Sequence, residues 1–317
     1  MYPKSSPAPL TSLFPPATIR LFSNQPLSSP KKNACDMSID PIQRLGTAIE
    51  IYAPLPNREP IRHAVFDFDG TLSLIRAGWQ EVMLAQCVAE LEQTPTREDR
   101  DTLRQVCSEF ITQLTGRQTI YQMIRLAEEV ALRGGMPREP REYKWQYLDR
   151  LQKKISHRIA DLQQGADEMS YRIRGSTDLL DDLARRGTVC HLASGTDEQF
   201  VIAEAKLLGL GHYFADRIYG ARDDYQSFSK QRVVERICTD HDVRGGQLVV
   251  FGDGYVEIEV ARSVGGIAVG IASLESVGYG WDLWKKERLC AAEAHILVAD
   301  WCESDLLLSF LCGEIDA

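Results

Sequence analysis

The sequence lacks the pairings that make metal or disulfide frameworks. None of its eight cysteines stands in C-x-x-C spacing with another, and none of its six histidines in H-x-x-x-H. That argues against a zinc site or a disulfide scaffold and fits a reducing compartment, so a cytoplasmic location is expected. No apolar run reaches 18 residues, so neither a transmembrane helix nor a membrane partner is expected. Positive charge is also short, with 36 Lys and Arg against 45 Asp and Glu and a net charge of −9. A general nucleic-acid binder shows a basic face, so nucleic acid is not expected as a partner. A small anionic substrate is not excluded, since a local site can oppose the global charge. There is no P-loop. A G-x-S-x-G elbow is ruled out because Leu192 stands where a glycine is required, and "GDG" at 252–254 lacks the third glycine of a dinucleotide fingerprint.

The chain's 317 residues, 44% hydrophobic, allow one large domain or two smaller ones. The first 36 differ from the rest. They hold half of the 14 prolines, and Lys4, Arg20, Lys31 and Lys32 face a single acid, Asp36. Such a stretch buries too little apolar surface to fold alone. It reads as a disordered tail or as sequence upstream of a start at Met37, with a basic, acid-poor organellar targeting segment as the alternative. The expected division is a disordered N-terminal extension over 1–60, a core over 61–77 and 174–317, and a helical segment over 78–173.

From Arg62 onward short apolar runs alternate with amphipathic stretches. "HAVFDF", "TVCHLASG" (188–195), "QLVVFGDG" (247–254), "GIAVGIA" (266–272) and "AHILVAD" (294–300) read as strands. Helices are expected at "STDLLDDLARRG", "TDEQFVIAEAKLLGLG" and "SKQRVVERICTDH". This alternation implies a parallel sheet covered on both faces. Between 78 and 173 only helix signals occur, four in all. The third, "TIYQMIRLAEEVALRGG", places Ile120, Ile124, Ala127 and Ala131 on one face.

Ligands of open parallel sheets bind outside the carboxyl ends of the strands. The first strand ends at Asp67 and Asp69, the second at Ser194-Gly195-Thr196, and the fourth at Gly252-Asp253-Gly254 with Glu257 and Glu259 behind. Carboxylates crowded at one edge call for a cation, and hard oxygen ligands with few histidines suit Mg²⁺, which takes one or two carboxylates plus substrate phosphate. Asp67, Asp253 and the main-chain carbonyl of Asp69 are the candidate protein ligands. Asp67 is then a candidate nucleophile toward phosphorus, and Asp69, two residues on, a candidate proton donor. Gly70 permits the bend between them, and the Thr71 hydroxyl is expected to bond to the new turn. Ser194 and the neighbouring main-chain N–H groups are candidate phosphate binders. So is Lys230, a cation near a helix start, where the macrodipole disfavours it. Thr196 is placed to cap the helix that follows.

These residues resemble the four motifs of the haloacid dehalogenase superfamily. In that family they are a D-x-D-x-T strand end, a Ser or Thr after a second strand, a Lys before a helix, and Gly-Asp followed by another acid. Here they read "DFDGT", "LASGT", "FSK" and "GDGYVE", in that order. The resemblance covers about residues 62–317. It implies a three-layer α/β/α, Rossmann-like core with a parallel sheet, and an all-helical type-1 cap inserted after the first strand. It implies Asp67 as nucleophile, Asp69 as acid then base, and phosphate bound by Ser194, Gly195 and Lys230. It places Mg²⁺ at Asp67, Asp69 and Asp253, with Thr71 and Glu257 behind them. An acid at position 69 separates the sequence from the dehalogenases and the transport ATPases. The expected activity is Mg²⁺-dependent hydrolysis of a small phosphorylated metabolite; phosphomutase action on a sugar phosphate, or a non-catalytic phosphate-binding module, are the alternatives.

In the cap, "TGRQT" (115–119) joins two helices and offers Arg117 and Gln118 as substrate contacts, or is a plain turn. Arg76 and Trp79 follow the first motif, where they either pack or touch the leaving group. The sequence carries no signal of oligomeric state.

Overall fold

The computed structural model describes residues 40–222, 224–226 and 228–316; the expectations for residues 1–36 lie outside them. Eight strands form one sheet: β1 (Gln43–Leu45), β2 (Ile49–Ile51), β3 (His63–Phe66), β4 (Val189–Asp197), β5 (Ile218–Ala221), β6 (Leu248–Gly252), β7 (Ile267–Ile271) and β8 (Ile296–Val298). Their order is β1-β2-β8-β7-β6-β3-β4-β5. The six strands from β8 to β5 run parallel; β2 pairs antiparallel with β8, and β1 antiparallel with β2.

Strands β3, β6, β7 and β8 are short and buried throughout because both faces are covered. Side chains of β3 and β6 alternate between two apolar clusters. Ala64, Phe66, Val249 and Phe251 join one, while Val65, Leu248 and Val250 join the other. Helices α5 (Ser176–Arg185), α6 (Glu198–Leu207), α7 (Gly211–Phe214) and α11 (Ser304–Leu311) cover the first face. Helices α8 (Lys230–His241), α9 (Tyr255–Ser263) and α10 (Leu283–Ala291) cover the second. The result is the three-layer α/β/α arrangement expected.

Helices α1 (Trp79–Leu91), α2 (Arg100–Gln113), α3 (Thr119–Leu132) and α4 (Pro140–Gln163) pack on one another, with Met83, Leu103, Phe110, Met123, Leu126, Tyr147 and Ile155 buried between them. The buried face of α3 differs from the expected one. Met123, Leu126 and Val130 are buried beside Ile120, whereas Ala131 is exposed. The larger side chains remove more apolar area from water, so the helix turns them inward. Among the described residues no helix is long and apolar enough to cross a membrane.

Three strands escape the sequence pattern. β1 and β2 lie inside the stretch 1–60 expected to be disordered, which corrects that boundary. Glu303 builds the turn between them from 256 residues away, accepting from the main-chain N–H groups of Thr47 and Ala48. β5 pairs with β4, which runs on to Asp197 with a register shift after Ala193.

Candidate active site

Asp67 is the first residue past β3, and its N–H still bonds the Phe251 carbonyl of β6 at 2.8 Å. The backbone then turns at Gly70, whose φ is +77°. A Cβ there would lie 2.2 Å from Asp253 Oδ2, so only glycine lets the β6 end approach the β3 end this closely. Thr71 lies beneath the turn. Its main-chain carbonyl accepts from Trp301 Nε1 at 2.9 Å, and its buried hydroxyl has no partner. The turn is made instead by main-chain bonds to the Phe68 carbonyl, so the bond expected from the Thr71 hydroxyl is absent.

One cleft is lined by Asp67, Asp69, Ser194, Gly195, Lys230 and Asp253, with Arg117 from the helical segment above. Lys230 is the first residue of α8, behind the N-cap Ser229. It is 6% exposed, and its Nζ donates to Asp67 Oδ1 at 2.7 Å and to Glu257 Oε1. Burial works against its charge, but Asp67 and Glu257 hold its pKa above the usual lysine value. These two acids offset the unfavourable helix-start position of the cation. Glu257 itself does not line the cleft; it is 1% exposed, and its second oxygen has no partner.

Asp69 is held from the side. Thr196 donates its hydroxyl to Asp69 Oδ2 at 2.8 Å, and Arg76 Nε stands 4.0 Å from Oδ1. Thr196 therefore serves the acid rather than capping α6, whose N-cap is Asp197. Burial, offset in part by Arg76 and reinforced by Glu204, pushes the Asp69 carboxyl up to about 7. Ser194 Oγ accepts from the Thr196 N–H at 3.1 Å. Gly195 lies under the α2–α3 turn, where a Cβ would come within 2.6 Å of the Arg117 carbonyl.

The turn is locked down. Gln118 donates its amide to the main-chain carbonyls of Tyr225 and Phe228, at 2.9 and 2.8 Å. It lines a neighbouring cavity rather than the cleft, so the substrate contact expected of it is replaced by a bond between the turn and the loop before α8. Tyr255 and Arg288 bond the Gln113 and Thr112 carbonyls and fix the end of α2.

Sequence reading missed three partners. Glu204 forms a buried pair with Arg76 at 2.7 Å, and Lys285 joins Asp253 Oδ2 and Glu275 Oε1 at 2.7 Å each. Glu204 was detectable: it sits on the apolar face of α6 with Val201 and Ala205, where an acid needs a buried cation. Lys285 and Glu275 carry no local signal.

The donor set fits a divalent cation. Four carboxylates line the cleft, Asp67, Asp69, Asp197 and Asp253, against the three cations Arg76, Arg117 and Lys230. The excess shows in Asp67. Burial raises its pKa well above the usual carboxylate range, Glu257 and Asp253 add to the rise, and Lys230 opposes it. Among the described residues no three His, Cys, Asp or Glu side chains form a closed metal cage. Mg²⁺ needs no such cage, since it takes one or two carboxylates together with water and substrate oxygens.

The comparisons place the chain by family and by fold. Residues 61–265 match the family model described as haloacid dehalogenase-like hydrolase. The chain belongs to the haloacid dehalogenase-like hydrolases. Among solved structures it is similar to a phosphonoacetaldehyde hydrolase-like protein from Oleispira antarctica, with TM-score 0.52 and 13% identity over 84% of this chain and 99% of that one. It is also similar to a predicted phosphoglycolate phosphatase from Haemophilus somnus 129pt, with TM-score 0.51 and 14% identity over 78% and 97%. A β-phosphoglucomutase from Clostridium difficile matches with TM-score 0.50 and 15% identity over 76% and 91%. At these identities the likeness is one of fold. No curated protein matches the sequence.

Proposed function

We propose that the chain is a Mg²⁺-dependent phosphatase that hydrolyses a small phosphomonoester through an aspartyl-phosphate. One observation carries the reading: two aspartates from one strand end share a cleft with Lys230, Ser194 and Asp253, each delivered by a different element. Asp67 attacks phosphorus and the ester P–O bond breaks. Asp69, steadied by Thr196, gives its proton to the departing alkoxide. Asp69 then takes a proton from water, which attacks the acyl phosphate, frees Asp67 and releases inorganic phosphate. Lys230 and Ser194 stabilise charge on the equatorial oxygens, where such catalysis chiefly acts. Mg²⁺ bound by Asp67, Asp253 and the Asp69 carbonyl would add Lewis-acid stabilisation of that charge.

The α2–α3 turn over Gly195 keeps water out during transfer, and its release opens the cleft. The free, buried Cys87 and Cys107 fit a reducing, cytoplasmic setting.

The test is phosphate release from a panel of phosphorylated metabolites with Mg²⁺, with EDTA, and with Asp67→Asn. The reading expects turnover lost in both latter cases with the fold retained. Isomerised sugar phosphate without net phosphate, or turnover unaffected by EDTA, contradicts it.

A further inference from the structure

Asp253 lines the cleft and is held by two residues that do not. Lys285 Nζ donates to Asp253 Oδ2 and to Glu275 Oε1, at 2.7 Å each. Lys285 is the third residue of α10 and is 5% exposed. The macrodipole disfavours a cation there, and burial strips it of water. The N-cap Asp282 fixes that first turn by accepting from the Trp284 and Lys285 N–H groups. The two acids are what hold a lysine in so unfavourable a place. Lys285 thus stands to Asp253 as Lys230 stands to Asp67: a buried cation at a helix start, bonded to one oxygen of an acid of the cleft.

The bond engages one carboxylate oxygen and spares the other. Asp253 Oδ2 and Glu275 Oε1 converge over Gly70, where a Cβ would lie 2.2 and 3.2 Å from them. Among the described residues no hydrogen bond or ion pair uses Asp253 Oδ1. Two divalent cations differ in what they ask of such a group. Ca²⁺ takes a carboxylate through one oxygen or both, in a flexible shell of about 6–8 oxygens. Mg²⁺ demands near-ideal octahedral geometry, which the narrow bite of a two-oxygen carboxylate does not suit.

We propose that Lys285, oriented by Glu275, is a positioning residue that leaves Asp253 only Oδ1 to offer a cation, and so sets a preference for Mg²⁺ over Ca²⁺. This rests on the metal-dependent phosphatase reading above and deepens it. The ammonium already occupies Oδ2, so an ion that would profit from a second oxygen of Asp253 finds none. Its charge cannot be the source of the preference. Both ions are divalent, so a nearby positive charge weakens the two alike. The preference comes from which oxygen is left free. Lys285 and Glu275 act through Asp253, since neither lines the cleft.

The test reads binding rather than turnover. Mn²⁺ on the full chain is followed by electron paramagnetic resonance and displaced by Mg²⁺ or by Ca²⁺, which gives a Kd for each. In the double variant Lys285→Met with Glu275→Gln, which removes the cation and its second acid together, Kd for Ca²⁺ divided by Kd for Mg²⁺ is expected to fall by about tenfold or more. Glu275→Gln alone loosens Lys285 and lowers the ratio by about threefold, so the inference stays testable if the double variant fails to fold. Lys285→Arg keeps a cationic donor for Oδ2 and holds the ratio nearer the wild-type value than the double variant does. A merely structural role moves both constants together and leaves the ratio alone. An unchanged ratio in the double variant, or in Glu275→Gln where only that variant folds, overturns the inference and leaves the phosphatase standing. A wild-type protein that binds no Mn²⁺ and whose phosphate release ignores EDTA overturns the two together.

Discussion

Lys230 Nζ donates to Asp67 Oδ1 at 2.7 Å across 163 residues of sequence. The same ammonium reaches Glu257, so one buried cation ties the end of β3 to the starts of α8 and α9. A lysine at a helix start is disfavoured by the macrodipole, and a buried carboxylate is disfavoured by desolvation. Each offsets the other, and in the proposed reaction the pair stands where phosphate charge develops.

Lys230→Met is therefore expected to act twice. Catalysis falls by about 10²–10³ in kcat, the cost of one lost charge-stabilising donor. Stability falls by about 3 kcal/mol, because Asp67 and Glu257 are left buried and uncompensated. Adding Glu257→Gln restores part of the stability and none of the activity. Steady-state kinetics and urea unfolding of the two variants check both halves.

Gln118→Ala removes two hydrogen bonds that hold the α2–α3 turn to the loop before α8. At about 1 kcal/mol each, the closed arrangement loses enough to raise KM by about tenfold, with kcat changed by less than about threefold. A fall in kcat at constant KM would instead assign Gln118 to the chemical step.

Acid stability follows from buried histidines. Burial, then neighbouring cationic groups, lowers His63 to about 4, His191 to about 3 and His295 to about 4. A depressed pKa means the unfolded chain takes up protons first as pH falls. The contribution is whole above an unfolded value of about 6.5 and is lost as pH drops toward 4. Each histidine steepens the decline by up to about 1.4 kcal/mol per pH unit. Urea midpoints from pH 7.5 to 4.5 should fall steeply below 6.5, and less so in His191→Gln.

What the sequence disclosed was local. β3, β4 and β6 hold apolar runs, after which come Asp67, Ser194 and Asp253, and the strand-end rule collects those residues without any knowledge of contacts. What it hid was non-local. β1 and β2 are three residues each; β2 exists through pairing with β8, β1 through pairing with β2, and Glu303 holds the turn between them. The pairs Arg76–Glu204 and Lys285–Asp253 join elements whose packing no periodicity reveals. Gln118 illustrates the limit of reading by position: it lies in the turn expected at the substrate, but its amide meets main-chain carbonyls of the adjoining loop.

The central claim is a covalent phosphoryl group on Asp67. Quenching the protein during turnover of an active phosphomonoester and reducing with borohydride converts an acyl phosphate to homoserine, which peptide mass spectrometry locates. The account predicts homoserine at residue 67, only with Mg²⁺ present and absent from Asp67→Asn. Steady phosphate release with residue 67 unlabelled, or homoserine at position 69 or 253, contradicts it.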